Sequence, residues 1–288
     1  MNKIERRKIA ELAAMYELEP QLRDVYVEGT FDKALVEWIL YEGHARTAVV
    51  REIDSVDIPL VLAQKYGYPS NNRGRVMALA RELETALAVK RNCATCLIDA
   101  DFDHILGTRH ALKMLLSTDY SSMELYFFDV RTLAKFLTLV VQGFPKSAES
   151  TLREIEKALT DLFAIRLALY NRNWKIPMIS FERCCRLSHA GVQLDTKEYI
   201  VRLLNAGNRY GQRTEFAREF EECRKTLTGD PRHHIHGHDF LHILSWYVGQ
   251  HKGQALSEAA MSRSMLACAD SNALQKEHMF SQVLIRVV

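Results

Sequence analysis

The feature that most constrains this chain is an alternation in its first hundred residues. Three short apolar runs, Asp24 to Val27, Thr47 to Val50 and Thr95 to Ile98, are separated by stretches with helical spacing. Phe31, Leu35, Trp38 and Ile39 keep the helical interval between the first two runs, and a strong helical stretch from Arg75 to Val89 leads into the third. Ahead of them, Ile4 to Tyr16 reads as a helix closed by Pro20, and a polar loop holds Gly67, Pro69, Ser70, Asn71 and Asn72. Strand–helix–strand–helix–strand is the order of a parallel sheet with right-handed crossovers. The expected fold class is α/β, with a Rossmann-like parallel sheet as its core.

Beyond Phe128 the pattern changes. Val130 to Gln142, Ala148 to Tyr170, Thr196 to Leu204, Thr214 to Thr226, His238 to Val248 and Ser257 to Ala269 all read as helices. This predicts a mostly helical C-terminal domain with a boundary near 125–145; taken at 125, residues 1–125 form the α/β domain and 126–288 the helical one. No apolar run approaches the ~20 residues of a membrane helix; the best, Phe136 to Val141, is far shorter. Met1 to Leu18 mixes Arg6, Arg7 and Lys8 with Glu5, Glu11 and Glu17 and has no signal-peptide core, so a cytoplasmic location is expected. Cys93 and Cys96 form a C-x-x-C without a second pair at zinc spacing, and read as buried thiols entering the third strand.

Functional groups of open α/β sheets collect at the carboxyl ends of the strands. Two of the three predicted strands end in acids: Glu28 follows the first, and Asp99, Asp101 and Asp103 follow the third. Adjacent strands lie ~4.8 Å apart, so four carboxylates are expected along one edge. Carboxylates that close repel, and either raise their pKa values or bind a divalent cation. An all-oxygen donor set favours Mg²⁺ or Mn²⁺ over zinc, and such sites suit phosphoryl chemistry. The plainer reading of each acid is a loop residue or helix cap; Asp103 fits that reading well, whereas Glu is a poor cap and Gly29 frees the backbone beside Glu28. Asp32 either points back at the cluster or caps the helix that starts near Phe31.

The segments Val25-Tyr26-Val27-Glu28-Gly29-Thr30-Phe31-Asp32-Lys33 and Cys96-Leu97-Ile98-Asp99-Ala100-Asp101-Phe102-Asp103 resemble the TOPRIM signature, a Glu-Gly turn after the first strand with Asp-x-Asp after the third. That signature is shared by topoisomerases, primases and OLD-type nucleases. The chain is more similar still to a bacterial phage-defence group of TOPRIM proteins. There the acidic run is followed by an element like Thr118-Asp119-Tyr120 with Glu124, and later by a helix start like Gly237-His238-Asp239-Phe240-Leu241, often with Lys in place of His238. The two TOPRIM motifs cover the first ~125 residues and are specific as a pair. The resemblance implies a metal-dependent nuclease held by an ABC/OLD-type partner ATPase. A phage trigger protein acting on that ATPase would release it as a homodimer that cleaves host tRNA and stops translation. The chain contains no G-x-x-x-x-G-K-[ST], so ATP hydrolysis is assigned to the partner.

On this reading Asp99 and Asp101 hold Mg²⁺ (or Mn²⁺), Asp103 supports them, and Glu28 is either a ligand or the base that orients the nucleophile. Glu124, expected near a following strand, completes a second metal site. Asp32 stays in the catalytic set, and Lys33 is either the cation for the scissile phosphate or a solvated helix residue. In the helical part, Arg166, Tyr170, Arg172, Trp174 and Lys175, then Arg202, Arg209, Tyr210 and Arg213, interleave cations with aromatics as RNA-gripping surfaces do. Lys175, Arg209, Arg213 and His238 are the substrate-binding candidates. The run His233-His234-Ile235-His236-Gly237-His238 reads as a polar loop that contacts RNA phosphates more readily than as a metal site, with Asp239 capping the helix behind it. Rival readings are a DNA-nicking OLD-like nuclease, a haloacid-dehalogenase-like phosphatase, which leaves Glu28-Gly29 unexplained, and a catalytically silent docking module. The formal charge of +2 averages −3 over residues 1–125 and +5 over 126–288, an acidic part beside a basic one.

Overall fold

The computed structural model describes residues 6–87 and 93–287. Ile4, Val89 and the other expectations on residues 1–5 and 88–92 lie outside the described residues. Two compact units emerge. The first comprises the described residues up to Ala100, together with Arg109–Asp119 and the segment from Asp270; the second comprises Asp101–Thr108 and Tyr120–Ala269. The segment from Asp270, grouped by sequence with the helical part, thus clusters with the sheet.

The first unit is built on four parallel strands: β1 (Asp24–Val27), β2 (Val49–Glu52), β3 (Ala94–Ile98) and β4 (Leu115–Ser117), in spatial order β2-β1-β3-β4. Tyr26 pairs with Arg51 on one side and Cys96 on the other, and Ile98 pairs with Ser117. Both faces are covered, since Val25, Tyr26, Val27, Cys96, Leu97 and Ile98 are all buried. This is why the runs read as continuously apolar rather than alternating. Cys93 and Cys96 are buried as expected, and burial pushes the Cys96 thiol up.

Helices α1 (Ile9–Leu18), α2 (Thr30–Glu42), α3 (Asn72–Ala86) and the helix His278–Val287 belong to this unit, with the short helices Leu60–Lys65 and Ser271–Leu274 and a separate parallel pair, Arg7–Lys8 with Val56–Asp57. Leu12 and Tyr16 of α1 pack with Val76, Leu79 and Leu83 of α3 beneath Tyr26, Cys96 and Ile98. A buried polar knot pins the start of β1. The Tyr16 hydroxyl donates to Asp24 Oδ2 (2.7 Å) and lies 2.7 Å from the Tyr26 hydroxyl, while Arg51 Nε sits 3.2 Å from the same carboxylate.

Two strand expectations shift. The second strand is Val49–Glu52 rather than Thr47 to Val50, because Val49 N–H joins the ladder by donating to Arg23 O. The fourth strand was not expected; at three residues it is too short to show a period.

In the second unit, α4 (Ala148–Asn171) is the longest helix, followed by α5 (Thr196–Ala206), α6 (Arg213–Thr226), α7 (Gly237–Lys252) and α8 (Glu258–Cys268). These match the predicted helices to within a few residues. The stretch Val130 to Gln142 is an α-helix only over Val130–Lys135. It continues as π-helical turns over Phe136–Val141 and ends where Gln142 turns to φ +57°. A two-stranded antiparallel hairpin, Cys185–Ser188 with Gly191–Leu194, interrupts the helices. Gly191 (φ +99°) brings it against α4 so closely that a Cβ would lie 2.4 Å from Glu154 O. Among the described residues no helix is long and apolar enough to cross a membrane.

Candidate functional site

Because β1 and β3 are adjacent and parallel, Glu28 and Asp99 leave the sheet at the same carboxyl edge. The Glu28 side chain reaches across, and its Oε1 accepts the Asp99 N–H at 3.0 Å. The start of α3 closes this edge. Asn72 Nδ2 donates to Glu28 O (2.9 Å), Arg73 Nε donates to Asp99 O (2.9 Å), and Arg73 Nη2 lies 3.4 Å from His110 Nε2. Local sequence places the helix start. Asn71 Oδ1 accepts the Gly74 N–H at 3.0 Å, an N-cap. Gly74 lets the preceding loop fold beneath the helix, since a Cβ there would come 1.8 Å from Pro69 O.

Asp32 Oδ2 accepts the Gly29 N–H at 3.0 Å, so of its two readings the structure shows the helix-start bond. Lys33 Nζ pairs with Glu37 Oε1 at 3.9 Å, one turn further along α2, an exposed contact of the solvated kind. The Thr118-Asp119 pair acts as a fastening. Thr118 Oγ1 accepts the Ala100 N–H (2.9 Å), and the Asp119 carboxylate accepts the Met279 N–H (3.0 and 3.2 Å) at the start of α9 (His278–Val287).

The second unit takes up the acidic turn from Asp101. Asp101 is held at φ +47° and donates its N–H to Ser121 O at 2.7 Å. A non-glycine residue in that region is uncommon, and such outliers gather at functional turns. Phe102 anchors the turn on α4, 5.2 Å from the Phe163 ring and 5.0 Å from Tyr170. Asp103 opens a single helical turn, Asp103–Leu106. Glu124, expected near a strand, instead lies buried in a 3-10 turn, Met123–Phe127. Its carboxylate rests against the start of α7, where a Cβ on Gly237 would come 2.1 Å from Glu124 Oε2. A carboxylate there is favoured by the helix dipole.

The histidine run is not the exposed polar loop expected. His234 and Ile235 are buried, and His233 stacks on His104 at 4.2 Å. Burial, with the Arg166 charge adding to it, pushes His236 down to about 4. His238 is exposed, with Nδ1 3.1 Å from Glu258 Oε1. Asp239 does not cap α7, whose N-cap is His236. It forms a two-pronged ion pair with Arg166, both N–H···O distances 2.8 Å, because a buried carboxylate needs a charged partner more than a helix start needs a side chain. Arg166 therefore leaves the RNA-gripping set.

Of the other basic and aromatic residues, Tyr170 packs on Phe102, Arg202 pairs with Glu198 and Arg172 with Glu219, and part of the set meets at two aromatic rings. The guanidiniums of Arg172 and Arg209 lie 4.9 and 5.4 Å from the Trp174 ring centre, and that ring stacks on Phe216. Arg213 covers Tyr210 at 4.4 Å. Lys175, Arg209 and Arg213 are exposed.

Among the described residues no three His, Cys, Asp or Glu side chains are grouped to hold a metal ion. Mg²⁺ does not require such a cage, being held by one or two carboxylates with water and substrate phosphates completing the shell. The Glu28–Asp99 pair fits that donor set. Sequence reasoning missed Asn72, Arg73 and His110. The available signal was Asn71-Asn72-Arg73-Gly74, an Asn-capped helix start. Comparison with protein-family models and with curated proteins finds no match.

Proposed function

We propose that the chain is a metal-dependent TOPRIM nuclease, the toxic effector of a PARIS-type anti-phage system that cleaves host tRNA once released from its partner ATPase. The observation that carries the nuclease reading is the Glu28–Asp99 pair: two carboxylates on neighbouring parallel strand ends, linked by the Glu28 Oε1···H–N Asp99 bond. The TOPRIM resemblance of the two motifs supplies the family, and the exposed Arg209 and Arg213 beside aromatic rings, with Lys175 exposed in the same unit, support an RNA substrate.

A divalent ion on Glu28 and Asp99 would supply charge stabilisation for phosphodiester cleavage. The chain's own contribution is placement. The ladder between β1 and β3 sets the spacing of the two acids, the Asp99 N–H orients the Glu28 carboxylate, and Asn72 and Arg73 hold the two strand-end carbonyls. The test is cleavage by purified protein with Mg²⁺, on tRNA and on duplex DNA, with Glu28→Ala and Asp99→Ala alongside. Cleavage of tRNA by wild type alone supports the whole reading; cleavage of DNA only replaces tRNA with a DNA substrate. Variants that cut as well as wild type refute the site, and a wild type that cuts neither substrate favours a docking module.

A further inference from the structure

We infer that Arg73 is the positioning cation of this site, holding the Asp99 end of β3 and offsetting the charge of the acid pair so that a phosphodiester can approach. The inference rests on the nuclease reading and deepens it. Arg73 is only 9 % exposed, and a guanidinium is costly to bury unless the fold uses its charge. It is held on a rigid frame, the second residue of a fifteen-residue helix whose start is fixed by the Asn71 cap and by the Gly74–Pro69 packing. Its Nε grips Asp99 O while Asn72 grips Glu28 O in the same way. Those two neighbours on α3 thus hold the two acid-bearing strand ends, one with a charge and one without.

The charge matters for the ligand. With Arg73 counted, Glu28 and Asp99 carry one net negative charge. A divalent ion would turn this into one net positive charge, the complement of a single phosphodiester. Without Arg73 the pair would attract the ion more strongly, yet with the ion bound it would be neutral towards the phosphate.

The experiment pairs Mn²⁺ binding, followed by paramagnetic resonance on the full chain, with RNA cleavage for wild type, Arg73→Gln, Arg73→Lys and Asn72→Ala. Removing one positive charge beside a partly solvated site should tighten Mn²⁺ about tenfold in Arg73→Gln. Displacing Asp99 should at the same time lower kcat/KM for RNA about a hundredfold. Arg73→Lys should keep wild-type Mn²⁺ affinity and recover part of the cleavage, and Asn72→Ala should not tighten Mn²⁺. A scaffold role alone predicts weaker or unchanged Mn²⁺ binding in Arg73→Gln, which would overturn the inference. If Arg73→Gln does not fold, tightening in the charge-keeping Arg73→Lys would overturn it equally. Wild type that binds Mn²⁺ but cuts no nucleic acid removes the nuclease reading and the phosphodiester part of this inference, while the Mn²⁺ comparison still decides the charge-offset part.

Discussion

Replacing Asp239 with Ala strands the Arg166 guanidinium inside the second unit, and the size of that effect follows from the geometry. The pair makes two parallel 2.8 Å bonds, and the side chains are only 23 % and 12 % exposed. Breaking one side of a buried ion pair costs about 3–5 kcal/mol, because an uncompensated charge remains. At roughly 2–4 °C per kcal/mol for a unit of this size, Asp239→Ala should melt about 10 °C below wild type. The double variant Arg166→Leu/Asp239→Leu should recover most of that loss, since apolar groups of similar volume leave no charge stranded.

The pH dependence has a definite sign. Burial works against the Asp239 carboxylate, but the Arg166 bonds and charge hold it below the usual carboxylate range. Its stabilisation is therefore complete above the ordinary carboxylate pKa and fades as pH falls through the lowered folded value. Arg166→Leu should lose this acid-sensitive part. Thermal melts by circular dichroism between pH 3 and 7 measure both effects. An Asp239→Ala melt within 2 °C of wild type, or a double variant less stable than either single one, would refute the reasoning.

Other outcomes follow from the same structure. Gly237→Ala drives a Cβ to 2.1 Å from Glu124 Oε2 and 2.4 Å from Ser122 Oγ, and should cost about 1–3 kcal/mol in denaturant unfolding; adding Glu124→Ala should restore part of it. Because burial pushes His236 down to about 4, the fold resists protonating it; stability held above pH 6.5 should fade as pH falls towards 4. His236→Gln should flatten that slope, and identical slopes would contradict it. Arg209→Glu and Arg213→Glu should weaken RNA binding with little change in melting temperature, and neutralising each arginine should make the salt dependence shallower by about one.

The sheet was legible because β1 and β3 are buried on both faces, so their apolar runs stand out against the helical spacing of α2 and α3. The three residues of β4 carry no period, and the hairpin at Cys185–Ser188 hides among polar residues. At the site, Glu28 and Asp99 were visible because a strand must end where its apolar run ends. Partners set by tertiary packing were not. Asp239 is three residues into α7 and seemed to be a cap, yet its partner lies 73 positions earlier on α4. The histidines looked polar in sequence, but Ile235, fully buried between His234 and His236, draws the run into the core. Arg73 was hidden in what read as loop, although Asn71 before it is an ordinary helix cap.

The Thr118-Asp119 dipeptide gives the helix His278–Val287 an unusual reach. One residue holds the amide of Ala100, directly after Asp99, and the next holds the first turn of α9. The same helix brings Leu284 so close to Gly43, at the end of α2, that a Cβ there would lie 2.5 Å away, and α2 begins two residues after Glu28. The helix thus contacts Asp119, next to the residue that holds Ala100, and the far end of α2. On the proposed function, a displacement of this helix would be felt at both strand ends that bear the candidate acids, through Thr118-Asp119 on one side and α2 on the other.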